Sequence, residues 1–591
     1  MKLYDSFILF GCLLRWISIV YGRDVTFNVI AFKALNVYLD VEGLKYKMVK
    51  PDLSIPLYTI ILEDVSNDED IKYHYIVDDI HEEFERKLPK STTTTYNELY
   101  GRKITIKNIP QFGFPIRRRW LKNGERSSIF DGSYIPTVII DDVNGSFFKS
   151  GNSTILKKVT VFLKDSIHVF QNIEAESRDL KYNNFSFKLK LDGQGLFGTK
   201  TLFFSTTETD PSLMHQLIYS DILQAIENPS AKTVPCRVYD GNGNGRGLYI
   251  LQEDTTSEDF MISHFLGFIN LFNKNSTNNI GSIILGSPKS DFYYTEGAKP
   301  STLYNEFKIV KDYKKFNAIE GLHGLSKALH DLDVNDLEQL SAFNKKWFDI
   351  PIFLKSLAVQ YLTGNWNSYW MLLNNYVIYS NPLEINIEKR ITDEGTHTNK
   401  YIKHYFFENK PLYTFGSHIN SKVNEYEEKF PSESYNTLVD RMWGIYDKDS
   451  NYRIAITKFL ESGYTKGMFE EYLINIVKYI FNPVTMNHKI DTLAERLRPE
   501  MEWITKLNNL HIGENGKNFS VADFDSEIED EHSNFNLWGL KEWIRLRSEQ
   551  VANEFNFKWY HSIITKGNVK LLDYIEIQPI THEKLMKILQ G

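Results

Sequence analysis

The stretch Tyr361–Asn375, YLTGNWNSYWMLLNN, decides how this chain is organised. It lies between a long helical segment and a β-like run, Tyr376–Tyr379. Within it, the rings of Trp366, Tyr369 and Trp370 surround short amide side chains. Aromatic walls around a few fixed polar groups are typical of a buried ligand site, because they exclude water. An ordinary core has the same composition, so the pattern alone leaves both interpretations open.

The N-terminal part of the chain is rich in short alternating segments. VTFNVIAF, NVYLDV, KYKMVK and PLYTIIL alternate apolar and polar residues between turn residues. They predict a small sandwich-like β-domain over residues 23–95. Residues 88–101 are polar and threonine-rich, which predicts a linker. A strand-rich lobe continuous with the following residues would give the same pattern.

Composition restricts the class of protein. With 42% hydrophobic and 14% aromatic residues among 591, the chain can bury substantial cores, which excludes disorder throughout. Its length predicts about two to four domains. The formal net charge of −8 is small for this size, so nucleic acid is not an expected partner.

The N-terminus has the features of a secretory signal peptide. Residues 1–22 contain Lys2, an apolar run from Phe7 to Leu14 and a turn-friendly end at Gly22. No later stretch reaches the roughly 18 uninterrupted apolar residues of a membrane span, and the C-terminus lacks the tail of a lipid-anchor signal. We therefore expect a secreted protein, extracellular or on the cell surface, with no transmembrane segment in the mature chain.

Cysteine and asparagine usage agrees with export. Of the two cysteines, Cys12 would leave with the signal peptide, so that Cys236 is the single thiol of the mature chain. Core burial then has to stabilise the fold without a disulfide. Five N-x-S/T tripeptides are candidate glycosylation sites. They begin at Asn144, Asn152, Asn184, Asn275 and Asn518.

Two elements between residues 157 and 226 bear on nucleotide chemistry. In the alternating run FSFKLKL, Lys188 and Lys190 share one face of a predicted strand. Protein kinases hold nucleotide phosphates with a strand lysine, although a solvent-facing pair gives the same pattern. Next, DPSLMHQLIYSDILQAI predicts a helix from Asp210 to Ile226, with Asp210 as N-cap and Pro211 at its first position.

The glycine-rich stretch DGNGNGRGLYILQED follows this helix. It resembles the start of a calcium loop at Asp240, but its twelfth position is Leu251 where a bidentate glutamate is required. No helix follows the glycines, which argues against a phosphate-binding loop. The pattern instead predicts a hairpin that joins Arg237–Tyr239 to Leu248–Leu251.

The rest of the chain is predicted to be mixed and then largely helical. Helical stretches are expected near residues 259–272, 333–343 and 349–362, and in most of the C-terminal third. The acidic segment Asp523–His532 predicts a solvated loop between two of the later helices.

Some residues that could suggest a site are assigned to the surface. Arg117, Arg118 and Arg119 beside Trp120 predict a solvated loop, because three adjacent residues do not share one face of a helix or strand. His397 and His404 are predicted to be surface histidines, since a metal site there would need more oxygen ligands.

Several motifs occur in a fixed order along the chain. They are IFDGSYIP at Ile129–Pro136, the D-P-x-x-x start at Asp210, WNSYW at Trp366–Trp370 and YFFENKPLYTFG at Tyr405–Gly416. Together with FEEYL, FNPVT and RPEMEW, they resemble the CotH family, the spore-coat-type atypical protein kinases of bacteria, whose fungal relatives are secreted or surface-bound. The similarity covers residues 100–560.

The resemblance implies an α+β fold. An N-terminal β-rich, sandwich-like domain (23–95) would be followed by a divergent protein-kinase-like domain with a helical C-terminal region. That second domain would span residues 100–560, with an N-lobe at 100–258 and a C-lobe at 259–560. Residues 561–591 would form a C-terminal extension.

The same resemblance implies that acidic positions of the site are replaced. Fungal relatives have W-D-x-Y-W where this chain has Asn367 in place of the aspartate. The acid that pairs with the strand lysine in the family becomes Gln216. In the pattern Y-F-L-D-x-D-x-D-x-T-F-G, the three aspartates become Glu408, Lys410 and Leu412.

Part of the family's site would remain. Lys188, Lys190 and Asn375 are the candidate nucleotide-binding residues, and Glu408 is the candidate metal ligand. No catalytic residue is assigned, because Asn367 cannot accept a proton as an aspartate does. No cofactor is assigned either, beyond ATP with Mg²⁺ or Mn²⁺ if activity remains.

These replacements predict loss of phosphoryl transfer, since removing one stabilising group costs a factor of about 100 to 1,000. We therefore expect a pseudokinase that acts as a surface, host-cell-binding or coat protein, with a host receptor or a coat or wall protein as partner. Fungal relatives are described as invasins, and the segment associated with that role aligns with Met371–Asn386. The alternative is an active atypical Ser/Thr kinase whose metal ligands come from residues such as Asp393 or Glu394.

Overall fold

The computed structural model describes residues 22–103, 106–115, 128–142, 145–273, 275–392, 395–419, 427–440, 453–460 and 463–563. Several sequence features lie outside these ranges. They are the predicted signal peptide before Gly22, Arg117–Trp120, Asn144, Asp393 and Glu394, and nearly all of the predicted C-terminal extension. Within the described ranges, no helix combines the length and the apolar character needed to cross a membrane.

The N-terminal region consists of two facing β-sheets. Strand β1 (Arg23–Ile30) pairs with β4 (Leu57–Val65) and, in parallel, with β8 (Glu98–Leu99). The second sheet contains β2 (Val37–Val41), β3 (Leu44–Lys47), β5 (Ile71–Val77), β6 (Ile80–His81) and β7 (Arg86–Leu88). Residues of both sheets, including Phe27, Leu39 and Tyr75, form one buried core. The predicted β-rich N-terminal region is confirmed.

The threonine-rich stretch predicted as a linker is packed against this region. The backbone N–H of Thr95 donates to the carbonyl of Thr26 at 3.0 Å, and β8 extends the first sheet. Buried Asn97 donates to the carbonyl of Leu163 at 2.7 Å. The linker interpretation is wrong here because threonines fit a pleated surface well once a neighbouring strand is available.

Residues 137–253 contain a closed β-barrel. Its strands are β9 (Thr137–Asp141), β10 (Thr154–Phe162), β11 (Ile167–Ser177), β12 (Phe187–Lys190), β13 (Thr201–Ser205), β14 (Thr233–Asp240) and β15 (Gly245–Glu253), in the order β10-β11-β12-β13-β15-β14-β9. The short helix α1 (Ser146–Ser150) precedes β10. Buried side chains such as Val159, Phe187 and Phe204 fill the interior.

The glycine-rich stretch forms the predicted hairpin between β14 and β15. Asp240 is held within the hairpin by its own neighbours, and its Oδ2 forms an ion pair with Arg246. Its Oδ1 accepts from the backbone N–H groups of Asn242 and Asn244 at 2.9 and 2.8 Å, so the carboxylate closes its own turn. This arrangement is an Asx turn, in which aspartate commonly takes part.

Helix α2 (His215–Ala225) begins later than the sequence predicts. The Oδ1 atom of Asp210 accepts from the N–H of Ser212 at 2.8 Å, and its Oδ2 accepts from the N–H of His215 at 2.7 Å. Leu213, between them, has a left-handed φ of 63°. Asp210 therefore closes a turn before the helix, because its side chain competes locally with helical hydrogen bonds.

The central part of the chain combines helices with a four-stranded antiparallel sheet in the order β17-β16-β18-β19. The elements are α3 (Glu258–Met261), β16 (Ile283–Gly286), α4 (Pro300–Leu303), β17 (Phe307–Lys311), α5 (Ala318–Asp331), α6 (Leu337–Lys346), α7 (Ile350–Thr363), α8 (Tyr369–Leu372), β18 (Tyr376–Thr392) and β19 (Gly395–Glu408). Helix α7 is buried along nearly its whole length. It forms the centre of the largest hydrophobic core.

The C-terminal third is helical, as predicted. Its helices are α9 (Tyr435–Asp440), α10 (Ile454–Leu460), α11 (Gly463–Tyr479), α12 (Pro483–Ile504), α13 (Val521–Glu529) and α14 (Leu540–Glu554). The predicted solvated loop Asp523–His532 is wrong in its first half, which lies in α13. Ser520 and Asp523 form a capping box at the start of this helix, and Glu527 within it is fully buried.

Candidate functional site

The stretch Tyr361–Asn375 connects the end of α7 to the start of β18. Gly364 ends α7 in the left-handed conformation, with φ of 59°. The ring of Trp366 stacks on Tyr413 with centroids 5.1 Å apart. The hydroxyl of Tyr369 donates to Oδ1 of buried Asp291 at 2.6 Å. The aromatic side chains therefore pack the junction itself, and the polar groups beside them define the site.

Asn367, where the resemblance implies an aspartate in the family, stabilises its own turn. Its Oδ1 accepts from Nδ2 of Asn374 at 2.7 Å, and its backbone oxygen accepts from Nδ2 of Asn375 at 3.2 Å. The N–H of Asn375 donates to the carbonyl of Gly286 at 3.1 Å, and its own carbonyl accepts from the N–H of Asn409 at 2.9 Å. Asn375 thus connects the stretch to β16 and to the residue that follows β19.

Glu408 is the last residue of β19 and its carboxyl group is buried. Its Oε1 accepts a hydrogen bond from Nε2 of Gln360. The Oε1 of Gln360 accepts from the hydroxyl of Ser368 at 2.9 Å and from the N–H of Trp370 at 3.0 Å, so the amide NH₂ must face Glu408. Burial raises the pKa of Glu408 to about 8, although Gln360 and the hydroxyl of Tyr219 act in the opposite direction.

A polar cleft lies between the barrel, α2 and the end of β19. The cavity encloses about 30 Å³. Pockets that bury a drug-sized ligand enclose roughly 300–1,000 Å³, so this cleft would have to open to admit a nucleotide. Its walls are formed by Phe203, Gln216, Tyr219, Ser220, Leu223, Ser230, Ala231, Thr233, Gln252, Glu253, Asp254, Thr255, Glu408, Asn409, Lys410 and Pro411.

The two candidate lysines of β12 have different surroundings. Lys188 forms an ion pair with Asp254, a cleft residue that directly follows β15. Burial opposes the charge of Asp254, but Lys188 and Thr256 hold the pKa of its carboxyl below the ordinary value. Lys190 instead pairs with Glu174 at 2.9 Å, and half of its side chain is exposed. Of the two, only Lys188 is connected to the cleft.

Gln216 and Lys410 also occupy the cleft. Nε2 of Gln216 donates to the carbonyl of Thr206 at 2.9 Å, whereas its Oε1, the atom that could accept from a lysine, has no hydrogen-bond partner among the described residues. Nζ of Lys410 lies 4.3 Å from the centre of the Phe203 ring. Burial lowers the pKa of Lys410, and the nearby Lys188 acts in the same direction. A second ammonium group therefore stands close to the strand lysine.

The structure brings together most of the residues predicted from the sequence. Gln216 and Glu408 line one cleft, and Lys188 reaches it through Asp254. Asn375 is connected through its hydrogen bond to Asn409. Asn367 is held in the turn beyond Asn375 and is not among the residues that line the cleft.

The acidic groups of the cleft are not arranged to bind a cation. Glu253 lies 3.1 Å from Nε2 of His264, Asp254 is paired with Lys188, and Glu408 accepts from Nε2 of Gln360, with a pKa that burial raises to about 8. Within the described part of the chain, no cluster of three His, Cys, Asp or Glu ligands lies in this cleft. The acidic side chains of the cleft are therefore held by hydrogen bonds and ion pairs to neighbouring residues.

Three residues of the site were missed by sequence reasoning. Asp254 belongs to the run QED at the end of β15, where nothing local indicates that its partner is Lys188. Gln360 and Tyr219 lie on helices, within hydrophobic patterns that indicate only a core. Their polar ends become informative only when the fold brings both of them to Glu408.

Other predicted features can now be placed. His404 is not a surface residue: it is fully buried, and burial lowers its pKa to about 4. The side chain of His397 lies outside the described part of the chain. Among the candidate glycosylation sites, Asn152, Asn275 and Asn518 are exposed and Asn184 is half-buried. Their glycosylation stays a prediction.

The buried carboxyl group of Glu408 predicts a pH-dependent stability. An acid whose pKa rises from 4.5 to about 8 on folding binds a proton as the chain folds, so its contribution to the free energy of unfolding falls as pH rises through that window. At pH 9 we expect Glu408→Gln to be more stable than wild type by a few kcal/mol, at about 1.4 kcal/mol per pKa unit. At pH 4.5 the difference should vanish. Denaturant unfolding at several pH values measures this difference.

Glu174→Gln is the matched control, because it removes an exposed carboxylate, the one that pairs with Lys190 on the barrel. It should leave the pH dependence unchanged. Parallel pH profiles for wild type and Glu408→Gln would contradict the assignment of a protonated Glu408.

Comparisons with known proteins identify the family of this chain. The profile of the family described as CotH kinase protein matches residues 175–551, more than half of the chain. The chain is 28% identical to Invasin CotH2 and 26% identical to Invasin CotH3 of Rhizopus delemar. Each alignment covers 91% of this chain, and 85% and 86% of the respective relatives. It is also 23% identical to Spore coat protein homolog 1 of the same fungus, covering 91% of this chain and 83% of that protein.

The chain belongs to the CotH kinase protein family. The resemblance inferred from its motifs is confirmed.

Proposed function

We propose that this protein is a secreted, surface- or coat-associated binding protein, built on a kinase-like fold whose nucleotide site is degenerate. The barrel with α2 would correspond to the N-lobe, and the remaining helices with the β16–β19 sheet to the C-lobe. The observation that carries the proposal is the charge arrangement around Lys188. Its ammonium group is neutralised by Asp254, and Lys410 lies at a position where the resemblance implies an aspartate.

Electrostatics support the loss of phosphoryl transfer. A kinase-like site needs carboxylates for the metal ion, a free cation for the phosphates and an acid for the attacking hydroxyl. Here Glu408 is buried and protonated at neutral pH, and its closest donor is the amide NH₂ of Gln360. Asn367 is an amide committed to a turn. Several kcal/mol of transition-state stabilisation would be missing.

The names of the relatives support the binding role. Two of them are named invasins and a third is named a spore coat protein homolog. A host-cell surface protein or a component of a coat or wall is therefore the proposed partner. The segment Met371–Asn386 contains the end of α8 and the first part of β18, where Leu383 is 57% exposed, so part of it is accessible to such a partner.

An active atypical Ser/Thr kinase is the second candidate. Gln216 and Glu408 line one cleft, Lys188 pairs with Asp254 of the same cleft, and the family is described as a kinase family. Metal ligands would then have to come from residues outside the described ranges, such as Asp393 or Glu394.

One experiment separates the two candidates. The purified chain is heated with ATP and Mg²⁺ or Mn²⁺, and labelled phosphate transfer to itself and to casein is measured. We expect no rise in the melting temperature and no transfer. In parallel, a restored variant carries Asn367→Asp, Gln216→Glu and Lys410→Asp. Aspartate suits position 410, where φ is 49°, because aspartate tolerates the left-handed region.

The restored variant should gain ATP-dependent stabilisation, whereas its binding to host cells or to coat material should equal that of wild type. Nucleotide-dependent stabilisation and phosphate transfer by the wild-type protein would establish the kinase instead. Equal failure of both proteins to bind cells or coat material would reject the binding role, whatever the nucleotide result. The wild-type measurements decide the question even if the restored variant does not fold.

A further inference from the structure

The start of α2 and helix α13 bring three metal-ligating side chains together, away from the cleft. Asp210, His215 and Glu527 are all buried, with 3%, 0% and 0% of their surfaces exposed. Nε2 of His215 lies 3.5 Å from Oδ1 of Asp210 and 3.8 Å from Oε1 of Glu527. All three ligand atoms lie within 4.8 Å of one another. Two carboxylates thus face the same imidazole nitrogen in the interior.

The imidazole of His215 has no hydrogen-bond partner on either ring nitrogen among the described residues. A buried polar group without a partner costs about 1–3 kcal/mol, so native structures nearly always provide one. The nitrogen that faces the carboxylates is therefore directed at a position where a proton or a cation belongs.

The two carboxylates are fixed by neutral donors. Asp210 accepts from the N–H and the hydroxyl of Ser212 at 2.8 and 2.5 Å, and from the N–H of His215 at 2.7 Å. Glu527 accepts from Nδ2 of Asn536 at 2.5 Å and from the hydroxyl of Ser533 at 2.7 Å. Such hydrogen bonds orient the ligands of metal ions. They leave the negative charges uncompensated.

We propose that Asp210, His215 and Glu527 bind one divalent transition-metal ion, with zinc as the first candidate. Zinc binds nitrogen and oxygen ligands at about 2.0–2.1 Å, so tetrahedral ligand atoms lie roughly 3.3 Å apart. The observed 3.5 and 3.8 Å separations need to close by only a few tenths of an ångström. One imidazole and two carboxylates suit zinc, manganese or ferrous iron. A divalent cation also neutralises the two carboxylates, which makes their burial favourable.

A shared proton is the competing occupant. Burial, with Asp210 contributing, raises the pKa of Glu527 to about 8, and burial also lowers the pKa of His215. A metal-free cluster could therefore hold a protonated Glu527 beside a neutral imidazole. Metal content distinguishes the two occupants.

The proposed ion would connect distant parts of the fold. His215 is the first residue of α2, the helix that presents Gln216 and Tyr219 to the cleft, and Glu527 lies on α13. An ion held by both helices fixes the position of α2 against the C-terminal helices. This role is independent of the proposed function, because it requires neither nucleotide nor a surface partner.

The first measurement is the metal content of the full chain, purified without chelator and analysed by elemental mass spectrometry. Wild type should contain about one equivalent of metal per chain, and His215→Gln should contain less than a tenth of that. The cluster of Asp40, His74 and His81, in which Asp40 is buried and His81 exposed, provides the matched control, since it is the other described group of three such ligands. His81→Gln should retain the wild-type metal content. No metal in wild type, or loss in His81→Gln instead of His215→Gln, would overturn the proposal.

The second measurement is thermal stability. Stripping wild type with a chelator should lower its melting temperature by about 5 °C, and added Zn²⁺ should restore it. Glu527→Gln keeps acceptor and donor groups for Asn536 and Ser533 but removes the charge, so it should fold without metal and respond to neither treatment. A wild-type melting temperature that is unchanged by chelator and by zinc would show that the cluster holds a proton. This titration needs no variant, so it decides the matter even if His215→Gln misfolds.

Discussion

Replacing Glu500 by glutamine is expected to lower the free energy of unfolding by about 3–5 kcal/mol, the usual cost of removing one partner from a buried ion pair. Glu500, on α12, and Arg237, on β14, have 1% and 0% of their surfaces exposed. The pair is bidentate, with Nη2 and Nε of Arg237 donating to the carboxylate at 2.5 and 2.9 Å. It joins the barrel to the longest C-terminal helix, so the effect should appear as loss of global stability.

The surroundings of the pair predict an order of effects. Burial and the nearby Arg237 lower the pKa of Arg496 to about 10, whereas Glu500 acts in the opposite direction. Glu500→Gln therefore leaves two buried guanidinium groups without this counter-charge. Arg237→Met leaves Glu500 with Arg496 close by, so it should cost less than Glu500→Gln.

The control for this prediction is Asp525→Asn, which breaks the half-exposed pair with Arg498 on the same helix, α12. It should cost less than about 1 kcal/mol. Denaturant unfolding of all three variants gives the comparison. A larger loss for Arg237→Met than for Glu500→Gln would contradict the role assigned to Arg496.

Replacing Gly364 by alanine is the other change with a large expected effect, a loss of about 3 kcal/mol. Its φ of 59° is unfavourable for alanine by roughly 1 kcal/mol. An added Cβ would also lie 2.4 Å from Cζ2 of Trp543. That ring cannot easily move, because it is fully buried and its Nε1 donates to the carbonyl of Leu362 at 2.9 Å. Overpacking of this kind costs a further 1–3 kcal/mol.

Gly297→Ala separates the two contributions. Gly297 has a similar φ of 75°, but a Cβ there would meet no atom within 4 Å. Gly297→Ala should lose only the stability that a left-handed φ costs an alanine, about 1 kcal/mol. The melting temperatures and unfolding free energies of the two variants are measured. Equal losses of stability in both would mean that the contact with Trp543 adds nothing to the cost of Gly364→Ala.

Local signals in the sequence predicted the elements that depend on near neighbours. Asp349 was expected at the start of a helix, and its side chain accepts from the N–H of Ile352 at 3.1 Å at the beginning of α7. The glycine-rich hairpin after Asp240 was also predicted, because turn chemistry is encoded in a few adjacent residues. The prediction that a helix starts at Asp210 is wrong, because the carboxylate accepts from the N–H groups of Ser212 and His215 in a turn that precedes the helix.

Long-range pairing could not be predicted in this way. Strand β9 closes the barrel by pairing in parallel with β14, far along the chain, and no local pattern indicates that contact. The ion pair between Lys188 and Asp254 depends on another long-range pairing, that of β13 with β15. Glu527 shows the opposite error: an acidic segment suggests solvent, yet one of its carboxylates is enclosed by α13 and its neighbours. Burial of single polar side chains is a property of the assembled fold.

The β18–β19 hairpin has a mechanical consequence. Beyond the irregularity near Asn381, eight residue pairs continue from Ile385 to Thr392, a reach of about 26 Å at roughly 3.3 Å per residue. The inner ends of its two strands adjoin Asn375 and Glu408. A partner bound to the outer part of the hairpin, where Ile387 is exposed, would pull on both strands at a distance from the cleft. Tension on the hairpin would pass to those inner ends along two continuous strands.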